Sequence, residues 1–154
     1  ALMFRNFPEA FSRQAVVEFL DSSKFSGRFD FVYYPIRFGK EVGFGYAIVN
    51  FATTDDALWA WAQFDGFSDW PELSEKILEV QWARLKGVDS PVEFADLIER
   101  YRNSPIMHPS IPDSYKPAIF RSGRRIPFPK PTVRLAPPNR SCGARAGTAR
   151  GRAP

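Results

Sequence analysis

The sequence predicts an α+β fold of the ferredoxin-like, split β-α-β-β-α-β type, followed by a helical extension and a basic tail. Three observations predict it: four runs of strand length, two capped amphipathic segments between them, and a break in composition at Arg121. The chain has 154 residues, of which 44% are hydrophobic and 16% aromatic, and this is enough for one packed core. We therefore expect one globular unit, with two helices on one face of a four-stranded sheet.

Four short runs have the length and composition of β-strands. Three of them are rich in aromatic and β-branched residues, and the first two stop at a proline, which is typical of a strand end. The fourth alternates apolar and polar side chains, as expected for a strand with one face in solvent. The predicted strands are Leu2–Phe7, Phe29–Tyr34, Tyr46–Phe51 and Leu78–Trp82.

Two helices are predicted, one after the first strand and one after the third. Ser12 stands where the first helix needs an N-cap, and Thr54 has the same place before the second helix. Asp55 and Asp56 would lie in the first turn of the second helix, where the helix dipole favours negative charge. Apolar residues recur at helical spacing in both segments, at Val16, Phe19 and Leu20 and at Leu58, Trp61 and Ala62.

A third helix is predicted after the fourth strand. Ser90, Pro91 and Glu93 have the spacing of a capping box with proline at the first helical position. An apolar stripe follows at positions i, i+3, i+4 and i+7: Phe94, Leu97, Ile98 and Tyr101. Because such a stripe needs a surface to cover it, we expect residues 88–120 to be an extension that packs on the domain of residues 1–87.

Charge divides the chain at the same point as composition. Residues 1–120 carry 12 Lys and Arg against 17 Asp and Glu, whereas residues 121–154 carry nine Lys and Arg and no acid. Phe128 is the only aromatic residue after position 120, so residues 121–154 are predicted to be a disordered tail. Attraction to phosphate must therefore be local within the acidic domain, or come from the tail.

Several classes of function find no support in the sequence. Cys142 is the only cysteine and His108 the only histidine, so we expect no disulfide, metal site, cofactor or histidine-based catalytic centre. Gly39 and Gly43 belong to a hairpin, because no Gly-Lys-Ser/Thr follows them. No apolar run approaches a membrane span. We expect a monomeric, intracellular protein of the nucleus or cytoplasm that is not an enzyme, and, since a strand begins directly after Ala1, a piece of a longer chain.

Two stretches resemble the paired signatures of the RNA recognition motif family. Leu2–Phe7 is similar to the shorter signature. Phe44–Phe51 is similar to the octamer, with Gly45, Ala47 and Phe51 where the family has glycine, a small residue and an aromatic. Their separation suits the first and third strands of that fold.

Further stretches narrow this resemblance to the C-terminal RNA recognition motif of the Mei-two-like proteins, which include meiosis regulators of fission yeast and the terminal-ear proteins of plants. The resemblance covers residues 2–120 and implies RNA binding in the control of meiosis or development. The matching stretches are Arg5–Pro8, Phe29–Phe38, Gly45–Ala47, Val49–Phe51, Ser74–Lys76, Ala83–Arg84 with Gly87, and Tyr115–Pro117 with Phe120.

The predicted RNA site lies on the outer face of the first and third strands, because neighbouring central strands present alternate side chains to unstacked bases. Tyr46 is the one ring at the three stacking positions, and Met3 and Ile48 occupy the other two. In the second strand, the polar Asp30 indicates the outward face. Because alternate side chains of a strand share a face, Val32 and Tyr34 are also expected to face out. The predicted RNA-binding residues are Met3, Arg5, Tyr34, Phe44, Tyr46, Ile48, Gln81 and Arg84.

Two functions are compatible with these features. The first is a single-stranded RNA-binding module that uses the sheet face, with the basic tail supplying sequence-independent attraction to phosphate. The alternative is a protein-interaction module with an occluded sheet face and partners at its helices, which the single ring and the acidic domain favour. The third helix is either a lid over the stacking positions or a brace at the sheet edge. We expect a brace, because a lid would have to move before bases could stack.

Overall fold

The computed structural model describes residues 1–138 of the chain. Short 3₁₀ turns lie at Pro105–Met107 and Asp113–Tyr115. The helices are α1 (Arg13–Ser22), α2 (Thr54–Phe64) and α3 (Phe94–Arg102). The strands are β1 (Leu2–Arg5), β2 (Phe29–Tyr33), β3 (Ile36–Arg37), β4 (Val42–Gly43), β5 (Tyr46–Phe51), β6 (Glu79–Trp82), β7 (Ala118–Arg121) and β8 (Arg124–Ile126).

Six of the strands form one antiparallel sheet in the order β6-β1-β5-β2-β7-β8, and β3 and β4 form a separate hairpin. In chain order, β1, α1, β2, β5, α2 and β6 make up the predicted β-α-β-β-α-β unit, so the predicted fold class is confirmed. β1 and β5 are adjacent near the centre of the sheet. The two signature stretches therefore lie side by side, as their spacing predicted.

The face of the sheet beneath α1 and α2 is packed with aromatic rings. Phe4 of β1 has its ring centroid 5.8 Å from that of Phe64 of α2, and Phe25 lies 5.2 Å from the same ring. Leu20 of α1 and Val49 of β5 are fully buried in the same cluster. These contacts form the main hydrophobic core and fix both helices on this face.

The N-cap of α1 agrees with the predicted one, and the N-cap of α2 lies one residue earlier than predicted. The Ser12 hydroxyl accepts a hydrogen bond from the backbone N–H of Ala15 at 3.1 Å, as expected for the N-cap of α1. For α2 the cap is Thr53, whose hydroxyl accepts from the N–H of Asp56 at 3.0 Å. The prediction of Thr54 was wrong by one residue, because two adjacent threonines offer the same capping chemistry.

The predicted orientation of β2 was wrong, and a β-bulge is the reason. Phe29 pairs with Phe51, but Phe31 pairs with Asn50, so Asp30 is an extra residue between the two pairs. A bulge of this kind reverses the alternation of side chains beyond it. Val32 and Tyr34 therefore point into the core beneath α1 and α2, whereas Phe31 and Tyr33 lie on the other face.

The third helix begins later than the sequence pattern indicated. α3 starts at Phe94 with Glu93 as its N-cap, and the capping box joins Glu93 and Asp96 instead of Ser90 and Glu93. The N–H of Glu93 donates to the Asp96 carboxylate at 2.8 Å. Leu97, Ile98 and Tyr101 of its apolar stripe are buried, so the expectation that the stripe is covered is confirmed.

The extension continues past the predicted boundary at residue 120. β7 ends at Arg121, and β8 pairs with it to add a hairpin to the sheet beside β2. Arg102 of α3 donates to the carbonyl of Lys130 at 2.8 Å, which holds the following segment against the helix. The prediction that residues 121–126 are disordered was therefore wrong. The rest of the predicted tail from residue 139 onward, with Cys142, lies outside the described residues.

Candidate nucleic-acid interface

The outer face of the sheet, opposite α1 and α2, carries the predicted stacking positions. Met3 of β1 pairs in register with Ile48 of β5, and Arg5 pairs with Tyr46. Phe4 and its register partner Ala47 lie in the core beneath the helices. The predicted orientation of these two strands is therefore confirmed, and Arg5 and Tyr46 are neighbours on the outer face.

The middle of this outer face is closed to solvent. The exposed fractions of Met3 and Ile48 are 0% and 1%, and Phe31 and Tyr33 of β2 are equally buried. We call these four residues the sheet centre. All four belong to a second hydrophobic cluster, separate from the main core. In this structure no base could reach the two stacking positions at Met3 and Ile48.

The residues that close the sheet centre come from the C-terminal extension, and we call residues 92–107 the cover. Leu97 and Ile98 of α3 are buried in the same cluster as the sheet centre. The ring of Tyr101 lies 4.9 Å from that of Tyr33 and 5.9 Å from that of Phe31 between centroids. α3 therefore lies over the sheet as a lid, and the prediction that it braces the edge was wrong.

The cover leaves one end of the outer face accessible. Arg5 is exposed and Tyr46 is half-buried, directly across the strand pair from it. Phe44, two residues before Tyr46, is partly exposed, and the guanidinium of Arg37 lies 4.8 Å from the centre of its ring. We call these four residues the sheet-end cluster. It combines two cations with two accessible rings, which suits phosphates and unstacked bases.

Tyr34 is not part of this surface. Its side chain is 1% exposed and lies in the main core, where its ring packs 5.9 Å from that of Phe7. The ring also lies against Gly43 of β4, where a Cβ atom would overlap it. The predicted outward direction of Tyr34 was wrong because of the bulge at Asp30.

Gln81 and Arg84 lie at the β6 side of the outer face. Gln81 is partly buried, and its side-chain amide is 4.0 Å from the sulfur of Met3. Glu79 is exposed on the same strand, in register with Arg5. Arg84 is exposed just beyond the strand end. The carboxylate of Glu79 lies beside both Arg5 and Gln81 on this face, and it lowers the attraction of the β6 side for phosphate.

The β6 edge of the sheet and the edge formed by the β7–β8 hairpin have opposite charge. Residues 54–82, which include α2 and β6, contain seven acidic residues and one Lys, whereas residues 116–134, which include β7 and β8, contain six Lys and Arg and no acid. Arg121 and Arg124 are directly opposite each other in the β7–β8 pair and both are exposed. Within residues 1–138 neither of them forms an ion pair. Two like charges in register repel, so this pair favours an anion between or beside them.

A carboxylate fixes the basic hairpin to the domain. Asp113 accepts from Arg125 of β8 at 2.9 and 3.1 Å and from Arg13 of α1 at 2.9 Å. The hydrogen bonds from Arg125, followed by those from Arg13, hold the pKa of the Asp113 carboxyl well below its usual range. The hairpin thus has a specific position relative to α1.

Two parts of this surface were missed in the sequence. Arg37 is not among the predicted site residues, because its contact with Phe44 depends on the β3–β4 hairpin, which has only two residues in each strand. The composition after position 120 predicts a tail at Arg121 and Arg124, because their surroundings are rich in arginine and glycine. Ile119 and Ile126, which pair across the two strands, were the signal that could have indicated this hairpin.

The described residues offer little for other chemistry. Residues 1–138 contain no group of three or more His, Cys, Asp or Glu side chains that could hold a metal ion. None of the helices in that range is long and apolar enough to cross a membrane. The sheet-end cluster offers rings and cations, which suit flat bases and phosphates, next to the carboxylate of Glu79.

The split β-α-β-β-α-β fold, with its two signature stretches on adjacent central strands, defines the class of RNA recognition motifs. The family model of RNA recognition motif 2 matches residues 1–96, and the chain belongs to this family. The predicted kinship with Mei2-like proteins is also confirmed by the relatives. Meiosis protein mei2 of Schizosaccharomyces pombe is 32% identical over 136 residues, which are 84% of this chain and 17% of that protein.

Plant proteins show the same relationship. MEI2-like protein 3 of Arabidopsis thaliana is 32% identical over 70% of this chain and 13% of its own length. The terminal ear1 homolog of Oryza sativa is 29% identical over 93% of this chain and 23% of its own length. The chain thus spans less than a quarter of these curated relatives. Among solved structures, RNA recognition domains 1 and 2 of Sex-lethal from Drosophila melanogaster match with a TM-score of 0.45 and 20% identity, over 54% of this chain and 48% of that one.

Proposed function

We propose that this chain binds single-stranded RNA at the sheet-end cluster while the cover remains on the sheet centre. The observation that carries the proposal is the contrast within two strands. Met3 and Ile48 are buried, whereas Arg5 and Tyr46, two residues away on the same face, are accessible. The accessible end is therefore the part of the signature surface that RNA can reach without a conformational change.

The side chains of the sheet-end cluster suit a strand of RNA. Tyr46 offers a ring for one base, and stacking of this kind contributes about 1–3 kcal/mol per base. The guanidinium of Arg37, held at 4.8 Å over Phe44, offers a second stacking surface that also carries charge. Arg5 is exposed beside Tyr46 and would contact a phosphate or a guanine edge.

The basic side of the sheet supports a longer path for the backbone. Lys116, Arg121, Arg124 and Arg125 lie on or next to the β7–β8 hairpin, at the opposite edge from the acidic β6. Because phosphate contacts position a strand without reading its sequence, this hairpin would strengthen binding generally. Selectivity for particular bases would come from the sheet-end cluster.

The biological process is proposed from the relatives. Proteins named for meiosis and for the terminal ear of plants share this domain, which supports post-transcriptional control in meiosis or development. We further propose that the chain acts without enzymatic chemistry or a cofactor, as an intracellular monomer. Binding of RNA by accessible rings and cations needs no catalytic group, no cofactor and no second copy of the chain.

Replacing Tyr46 with alanine tests the proposal. The affinity for a short fluorescent RNA should fall by about 1–3 kcal/mol, and by more than any accompanying loss of stability, because Tyr46 is partly exposed. The matched control is Ile48→Val in the sheet centre, which should cost about 0.5–1.5 kcal/mol of stability and leave RNA affinity unaltered. The measurement is fluorescence anisotropy with the full chain at fixed salt.

A second pair of variants tests the charge. Arg5→Ala should weaken RNA binding, whereas Arg100→Ala, an exposed arginine on the solvent side of α3, should not. Unchanged affinity in both Tyr46→Ala and Arg5→Ala would reject the sheet-end cluster as the RNA site. The alternative of a protein-interaction module, which the buried sheet centre favours, would then take its place.

A further inference from the structure

The acidic side of the molecule carries an open apolar groove between α2 and β6. Its lining consists of Leu58, Trp61 and Ala62 of α2 and Trp82 of β6, and its volume is about 400 Å³. The two tryptophan rings meet edge to face, with centroids 5.3 Å apart. Leu58 is 50% exposed and Trp82 is 42% exposed. The groove is large enough for one or two bulky side chains.

Trp59, the other tryptophan exposed on α2, has an exposed fraction similar to that of Trp82 but a different environment. Trp59 is also partly exposed, but its ring packs 4.5 Å from that of Phe25 and lies under the guanidinium of Arg28 at 5.0 Å. The ring of Trp82 has Trp61 as its ring partner, and Leu58 next to them is half in solvent. Adjacent large apolar side chains left in water are a common sign of a binding surface.

The charge around the groove selects the partner. α2 contains no Lys or Arg, and the exposed Asp65 directly after it accepts a hydrogen bond from the N–H of Val80, so its carboxylate lies between the two elements that form the groove. Asp55 lies one turn before Leu58 on α2 and is exposed, so a carboxylate stands at the end of the groove. An acidic surround repels nucleic acid and attracts a positively charged partner.

We propose that this groove docks a basic peptide segment of a partner protein, with one large apolar side chain inserted as an anchor between Leu58 and Trp82. The anchor would complete the burial of the two tryptophans, and flanking Lys or Arg side chains would meet the carboxylates of Asp55 and Asp65. This inference does not depend on the proposed RNA site, which lies on the other face of the sheet.

Two other ways of occupying this region fit less well. Addition of a strand to the edge of β6 is blocked, since the N–H of Val80 donates to the Asp65 carboxylate at 3.0 Å and Leu78 pairs with Gly66 and Phe67. Residues 139–154 of this chain carry four Arg but no large apolar side chain, so they lack an anchor. A separate partner segment can supply both an apolar side chain for the groove and cations for the carboxylates beside it.

The test uses the full chain and three synthetic peptides of equal length, measured by fluorescence anisotropy. The first is rich in Lys and Arg with one central Trp, the second has Ala in place of that Trp, and the third has Glu in place of the cations. The first should bind at least tenfold more tightly than either of the others. Its affinity should also fall as salt is raised, because the surrounding charges are exposed.

Two matched pairs of variants locate the peptide. Leu58→Ser should weaken binding of the first peptide at least tenfold, whereas Leu73→Ser, at a fully exposed leucine of the same acidic segment outside the groove, should not. Ala62→Lys should have the same effect by placing a cation in the groove. Gln63→Lys, at the adjacent exposed position of the same helix, should have little effect. Circular dichroism confirms that each variant is folded, and the Ala62 pair keeps the test valid should Leu58→Ser unfold.

Three outcomes would overturn the proposal. The first is equal binding of the basic and acidic anchored peptides, which would remove the charge argument. The second is unaltered binding in both Leu58→Ser and Ala62→Lys. The third is a dimer in sedimentation velocity that either variant dissociates, since the groove would then be an interface between two copies. RNA affinity should be the same in all four variants, so a failure here is distinct from a failure at the sheet-end cluster.

Discussion

The sheet centre and the sheet-end cluster belong to the same strands but have opposite relations to solvent. Met3 and Arg5 are two residues apart on β1, and Ile48 and Tyr46 are two residues apart on β5. The first member of each pair is buried under the cover, and the second is accessible. The surface that RNA can reach is therefore set by α3, an element more than forty residues after β5 in the chain.

The same comparison gives the two stacking positions without rings a role in packing. Met3 and Ile48 are aliphatic and face Leu97 and Ile98 in one buried cluster, where they act as packing residues for the helix. Phe31 and Tyr33 of the same buried cluster carry rings, but these pack against Tyr101 of α3 and are closed to solvent. Tyr46 packs against the rim of the same cluster and stays partly exposed. Met3 and Ile48 thus have a packing role under the cover, and Tyr46 is the stacking position that still reaches solvent.

The largest expected effect comes from removing the cover. Replacing Leu97 and Ile98 together with serine should lower the free energy of unfolding by several kcal/mol, since truncation of each buried aliphatic typically costs about 2–5 kcal/mol. If RNA binds only the sheet-end cluster, the folded fraction should bind RNA with unaltered affinity. Urea unfolding and RNA titration of the same samples measure both quantities.

The control replaces two exposed residues of α3, Ala95 and Arg100, with serine, and should change neither quantity by much. Tighter RNA binding by the Leu97/Ile98 variant would break the comparison. It would mean that the cover competes with RNA for the sheet centre, and that the accessible end is only part of a larger site. Ile98→Val, a milder change, would then give a smaller increase in the same direction.

An intermediate effect is expected at the basic hairpin, which would extend the accessible region beyond the sheet-end cluster. Replacing Arg121 and Arg124 with alanine should flatten the dependence of log affinity on log salt by about 0.7 for each phosphate that the protein no longer neutralises. Stability should stay the same or rise slightly, because two like charges in register are removed. RNA titrations at several salt concentrations measure the slope. Lys76→Ala with Lys86→Ala, at exposed lysines outside the hairpin, is the matched control, and an equal change of slope there would contradict the assignment.

The smallest effect is expected from Asp113, which holds the hairpin in place. Its folded-state pKa lies below the unfolded value of about 3.9, so its carboxylate stabilises the fold above about pH 4, and this contribution disappears as pH falls below that value. Asp113→Asn should therefore lower stability at pH 7 by up to about 1 kcal/mol, because its side chain is 65% exposed. The difference from the natural chain should shrink at pH 3. Asp69→Asn is the control, and a difference that grows in acid would show that the ion pairs are not the cause.

Local patterns in the sequence predicted the elements whose cause is local. The Ser12 cap, the apolar runs of β1 and β5 and the stripe of α3 each follow from residues within a few positions of one another. The orientation of Met3 and Tyr46 followed as well, since both strands keep a regular alternation. The orientation of Tyr34 could not be predicted in this way. One extra residue at Asp30 reverses the alternation, and no residue type near it indicates a bulge.

By itself the sequence determined the family, the split β-α-β-β-α-β order and the separation of acidic from basic residues, because composition, periodicity and signature spacing are properties of the chain alone. Only the tertiary structure decided that α3 lies over the sheet centre and that Arg121 and Arg124 face each other across a hairpin. It also decided that Arg37 lies on Phe44. These are contacts between segments distant in sequence or between very short strands, and their geometry depends on how all the surrounding surfaces pack together.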